Sequence, residues 1–241
     1  MKVIVCENKH ETAKESARIF QQAIRSNPSI VLGLATGGTP VDMYRELIRL
    51  QKEEGLDFSR VVTFNLDEYL GLSADHDQSY RYFMDKMLFD HVNIDKSNTY
   101  VLNGLAKDPE TECRQFEDAI SKAGNIDLQL LGIGSNGHVA FNEPGSGLDS
   151  RTRVVNLTPK TIEDNARFFK SASDVPRQAL TMGIATILET KKVVLIATGS
   201  NKAVAVSKAV NGPITSQIPA SCLQHQSDCT FVIDKQAALD L

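Results

Sequence analysis

Short apolar runs recur along this chain, and a stretch of helical periodicity separates most of them from the next. Lys2–Cys6, Ile30–Leu34, Arg60–Asn65, Thr99–Leu102, Leu128–Ile133, Val154–Leu157, Lys192–Thr198 and Phe231–Asp234 read as strands. Ile30–Leu34 and KVVLIAT are apolar almost throughout, as expected of strands covered on both faces. Between the runs lie His10–Ser26, with Ala13, Ala17, Phe20 and Ile24 on one face, Pro40–Glu54, Ser79–Val92, Asp108–Ala123, with Cys113, Phe116 and Ile120 inward, Thr158–Phe169 and Gly183–Glu189. Tyr82, Phe83, Met87 and Leu88 are expected to be core contacts of their helix. This alternation predicts an α/β fold with a doubly wound, mostly parallel sheet of a modified Rossmann-like kind.

Composition narrows the functional classes. The chain has 241 residues, enough for a single α/β domain spanning 1–241, and it contains no repeat or long linker. A net charge of −4 and the absence of any Lys/Arg run argue against nucleic acid, although a local basic pair could hold one phosphate. No apolar stretch approaches the length of a membrane span, and MKVIVCENKHE lacks the apolar core of a signal peptide. Cys6, Cys113, Cys222 and Cys229 form no metal-ligand spacing. They are expected to be reduced thiols of a cytoplasmic protein, with a Cys222–Cys229 redox pair as the alternative.

Chemistry is expected where strands end, because ligands of open α/β sheets sit at the carboxyl ends of strands. After Ile30–Leu34 comes ATGGTP, in which Thr39 is placed to cap the next helix and Pro40 suits its first turn. Free turn N–H groups and a helix N-terminus then make an anion site at Thr36, Gly37, Gly38 and Thr39. Gly199-Ser200-Asn201-Lys202 repeats that geometry with a lysine. Asp67 and Glu68 follow the strand VVTFN, where the bland alternative is a solvated turn or helix start. The run LLGIGSNGHVAFNEP sets His138, beside Asn136, on a glycine-broken turn, with Glu143 five residues on. A titratable imidazole with a nearby acid suits proton transfer. The polar segment around 150–180, which carries Arg167, is expected to form a helical lid.

LGLATGGTP (Leu32–Pro40), NLDEYLGL (Asn65–Leu72), LLGIGSNGHVAFNEPG (Leu130–Gly145), NARFF (Asn165–Phe169), LTMGIATIL (Leu180–Leu188) and GSNKA (Gly199–Ala203) stand in one order along the chain. Together they resemble the glucosamine-6-phosphate deaminase family over nearly the whole length. The Gly-Gly turn is also similar to that of the sugar-phosphate lactonases.

The resemblance implies conversion of a small-molecule sugar phosphate, glucosamine 6-phosphate, with water to fructose 6-phosphate and ammonia, without metal or organic cofactor. It implies ring opening by His138 supported by Glu143, proton abstraction at C2 by Asp67, and phosphate binding by Thr36, Gly37, Gly38, Thr39, Arg167 and Lys202.

Two departures from the family pattern stand out. Asn136 occupies a position where longer members carry Asp; an amide orients His138 without adding charge, which leaves that role to Glu143. Arg153 matches one member of an allosteric Arg–Lys pair, but Val155 stands in place of the lysine and the sequence stops at Leu241. A non-allosteric monomer or small homo-oligomer is therefore expected, with no nucleic acid and no membrane among its partners. A phosphogluconolactonase and a sugar-phosphate sensor domain are the competing readings; the sensor would need a helix-turn-helix segment.

Overall fold

The computed structural model describes residues 1–166, 169 and 171–241. Ten strands are assigned among them: β1 (Lys2–Cys6), β2 (Val31–Leu34), β3 (Val62–Asn65), β4 (Asp67–Tyr69), β5 (Thr99–Tyr100), β6 (Leu128–Leu131), β7 (Arg153–Asn156), β8 (Gln178–Thr181), β9 (Val193–Ala197) and β10 (Cys229–Asp234). The helices are α1 (Lys9–Ser26), α2 (Val41–Glu54), α3 (Tyr80–Met87), α4 (Pro109–Lys122), α5 (Pro159–Ala166), α6 (Ile184–Leu188) and α7 (Ala203–Asn211).

Seven strands form one parallel sheet in the order β1-β10-β9-β6-β2-β3-β5, flanked by helices. From β2 the chain moves through β3 to β5 on one side, whereas β6, β9 and β10 lie on the other. The β2/β6 boundary is therefore the topological switch point, where a crevice opens beyond the carboxyl ends. The expected α/β class is what the chain adopts, and Ala13, Ala17, Phe20, Ile24, Cys113, Phe116 and Ile120 are buried as their periodicity requires. The described cysteines are all free thiols. No described helix is long and apolar enough to cross a membrane.

The departures from expectation are local. LDEYL is neither a solvated turn nor a helix start: Asp67–Tyr69 is a strand of a second, antiparallel sheet ordered β4-β8-β7. Leu66 joins the two sheets, its N–H donating to Leu34 O of the parallel sheet at 3.1 Å and its carbonyl accepting from Met182 N at 2.7 Å. Thr39 does not cap α2: Pro40 occupies the cap position and no side chain caps that helix. The helix expected to run to Val92 ends at Met87, because Leu88 leaves helical geometry at φ −144° and a 3-10 turn, Phe89–His91, follows. Met84 is its fully buried residue, while Tyr82, Phe83 and Met87 are half-buried.

Gly33 shows how closely the central strands meet. A Cβ there would sit 1.9 Å from Gln129 Oε1 of neighbouring β6, whose amide also donates to Leu130 O at 2.8 Å. Gly33→Ala should therefore destabilise the fold by about 1–3 kcal/mol, read from chemical denaturation. Adding Gln129→Ala should recover part of that loss, whereas strictly additive losses would show that the two side chains do not compete for the same space.

Candidate active site

A cavity of about 450 Å³ lies beyond the carboxyl ends of β2, β3, β6 and β9. Thr36, Gly37, Gly38 and Thr39 line it from the β2–α2 turn, Asp67 from β4, His138 from the loop after β6, and Lys202 from the turn before α7. Residues as far apart in sequence as Thr36 and Lys202 thus face one space. Asn136 and Glu143 stand behind His138 and are not part of its lining. Arg167 falls outside the described residues.

The β2–α2 turn is built to leave its N–H groups available. Gly37 takes φ +90°, a left-handed conformation that glycine adopts without strain. Tyr44 of α2 donates its hydroxyl to Ala35 O at 2.6 Å, which fixes the start of the turn. With no side-chain cap on α2, the positive end of that helix faces the cavity beside Pro40. Across the cavity, the Gly199 N–H donates to both carboxylate oxygens of Asp234, at 3.0 and 3.1 Å, and so pins the turn that carries the half-buried Lys202.

Asp67 sits 7% exposed on β4. Burial, with the charge of adjacent Glu68 adding to it, raises its carboxyl from 3.8 to about 8. Glu68 points to the start of α3, where its Oε1 accepts the N–H groups of Tyr69 at 2.8 Å and Tyr80 at 3.0 Å, and its Oε2 that of Arg81 at 3.0 Å. Burial still raises Glu68 to about 7 against those donors. Side chains alternate along a strand, so of the two acids it is Asp67 that faces the cavity.

The His138 loop depends on glycine at position 134: a Cβ there would lie 2.2 Å from the imidazole Cε1, so only glycine leaves room for the ring. Asn136 Oδ1 accepts the His138 N–H at 3.1 Å, and Asn136 Nδ2 donates to Glu143 Oε2 at 2.8 Å. That same carboxylate oxygen lies 3.7 Å from His138 Nδ1. The amide therefore positions both members of a His–Glu pair while carrying no charge itself. No group of side chains suited to hold a metal ion occurs among the described residues.

The cavity also contains residues that sequence reasoning did not single out: Tyr80, Phe141, Lys160, Thr161 and Asn165. Tyr80 opens α3 and stacks on Phe141 at 6.1 Å, while Lys160, Thr161 and Asn165 come from α5. The lid expectation covers the α5 residues and Asn165 opens the NARFF motif, but the side chains of Lys160 and Thr161 match no chemical pattern in the sequence.

A family model described as glucosamine-6-phosphate isomerases/6-phosphogluconolactonase matches residues 7–232. A glucosamine-6-phosphate deaminase of Thermoanaerobacter sp. (strain X514) is 53% identical over 238 residues, covering 99% of this chain and 94% of the relative. One from Clostridium perfringens (strain SM101 / Type A) is 54% identical over 238 residues, covering 99% and 98% respectively. Among solved structures, a monomeric glucosamine-6-phosphate deaminase of the NagB superfamily is similar with a TM-score of 0.98 at 47% identity, covering all of both chains. The 6-phosphogluconolactonase of Trypanosoma brucei shares the fold, with a TM-score of 0.76 at 20% identity over 100% of this chain and 98% of its own. By these matches over nearly its full length, the chain belongs to the glucosamine-6-phosphate isomerase/6-phosphogluconolactonase family.

Proposed function

We propose that the protein is a glucosamine-6-phosphate deaminase, converting glucosamine 6-phosphate and water to fructose 6-phosphate and ammonia. The observation that carries this reading is the buried Asp67 carboxyl facing the same cavity as His138. A C2 proton is weakly acidic, and an ordinary solvated carboxylate is a poor base for it. Desolvation makes Asp67 a stronger one. The 53% identity to deaminases over 238 residues supports the same choice within the family.

In this mechanism His138 moves a proton from the anomeric hydroxyl to the ring oxygen, and the sugar opens. Glu143 supports the imidazole electrostatically and Asn136 orients it. Asp67 then removes the C2 proton of the open chain, giving an enolamine. Protonation at C1 leaves an imine at C2, which water hydrolyses to the ketone with release of ammonia. The phosphate is held by the N–H groups of Thr36, Gly37, Gly38 and Thr39, by Lys202 and by Arg167. No metal or organic cofactor enters this route. The chain acts as one unit, 1–241, and as a monomer, like the monomeric deaminase it is similar to. The segment around 150–180 serves as the lid, with Lys160, Thr161 and Asn165 of α5 lining the cavity.

Purified protein in EDTA should release ammonia and fructose 6-phosphate in equal amounts, and Asp67→Asn should lower the rate by about a hundredfold or more. Lactone hydrolysis needs no base at C2. Activity on 6-phosphogluconolactone that survives Asp67→Asn, with no ammonia from wild type, would overturn the proposal.

The base form of Asp67 accumulates as pH rises. Corrected for ionisation of the substrate's amine and phosphate, log kcat/KM should climb with a slope of about one towards pH ~8. Stability carries the opposite sign: a carboxyl raised from 3.8 to about 8 on folding stabilises the fold at low pH, and that contribution is lost as pH rises through this window. Asp67→Asn should accordingly raise the melting temperature at pH 9 by more than it does at pH 4.

A further inference from the structure

Thr158 and Thr161 lie three residues apart at the start of α5, and that spacing puts them on one face of the helix. The Thr161 N–H donates to Thr158 Oγ1 at 3.2 Å, and the two hydroxyl oxygens are 3.1 Å apart. Both turn towards Glu143. The Thr161 hydroxyl donates to Glu143 Oε1, and Thr158 Oγ1 lies 3.4 Å from the same oxygen. The other carboxylate oxygen, Oε2, accepts from Asn136 and faces His138. One oxygen of this acid is therefore held by the lid helix and the other serves the imidazole. Thr161 is itself buried, at 6% exposure, so its hydroxyl has little access to solvent as an alternative partner.

We propose that Thr161, supported by Thr158, is a positioning residue for ring opening: its hydroxyl fixes the Glu143 carboxylate so that Oε2 is presented to His138. The inference rests on the deaminase reading above. The last torsion of a glutamate is broad, so a carboxylate anchored at one oxygen can still swing. A second, charge-assisted anchor removes that freedom. Because the second anchor belongs to α5, the acid pair is complete only when that helix is seated over the cavity.

Thr161→Val keeps the side-chain shape and removes the hydroxyl; Thr161→Ser keeps the hydroxyl and removes a methyl group. With glucosamine 6-phosphate as substrate, Thr161→Val should lower kcat about tenfold or more, with KM within about twofold of wild type. Thr161→Ser should restore kcat to within about threefold of wild type. Thermal melting of both variants reports whether each is folded at the assay temperature.

Equal losses in the two variants would assign Thr161 to packing and overturn the proposal. So would an unchanged kcat in Thr161→Val, or an effect confined to KM. An unfolded Thr161→Val beside a fully active Thr161→Ser would support the hydroxyl's role, and an impaired Thr161→Ser would count against it. A wild type that releases no ammonia is a different result: it removes the deaminase reading, and this inference falls with it.

Discussion

The site depends on how the backbone of Leu66 is shared between two sheets. Its N–H completes the parallel sheet at Leu34 and its carbonyl accepts from Met182 beside the antiparallel one. A strand that continued straight would carry Asp67 into solvent at the end of β3. Here the chain changes sheets after one residue, and the next three pair with β8. The carboxyl is thereby enclosed by protein while still lining the cavity, and its proton affinity follows from that enclosure.

The two kinds of chemistry in the cavity are supported in different ways. The proposed anion binding uses backbone N–H groups and one half-buried lysine, drawn from two turns at the carboxyl ends of β2 and β9. These groups need no perturbed titration, only geometry, and Tyr44 and Asp234 hold that geometry from outside. The proposed proton transfer uses acids in two contrasting settings. Asp67 is buried next to a second acid, which raises its carboxyl to about 8, whereas Glu143 is surrounded by donors from Asn136 and Thr161. In the proposed mechanism, environment alone separates a base that must be strong from an acid whose task is to support an imidazole.

Much of this was legible in the sequence, and what was not has a physical cause. The long parallel strands announce themselves because burial on both faces demands continuous apolar runs. The turn motifs were legible too, since glycines directly after such runs have few other uses. The antiparallel sheet was hidden: DEY and QALT are short, one is mostly polar, and they pair over more than a hundred residues. Asp67 could be named as a candidate, but its burial could not, because adjacent acids in a sequence usually lie in solvent. The expected Thr39 cap followed local preference, whereas the fold leaves that helix end uncapped and facing the cavity. Thr161 was invisible for another reason: a threonine acquires this role only when α5 folds over Glu143.

The central claim is that the fold, before any substrate binds, makes Asp67 an unusually strong base. Selective carbon-13 labelling of aspartate carboxyls, with Asp67→Asn to assign the resonance, allows this group to be titrated by NMR in the substrate-free protein. The account predicts a midpoint near 8, within about a unit. A midpoint near 4, the ordinary range for a solvated aspartate, would contradict it and leave the strength of the base to be explained by the bound substrate instead.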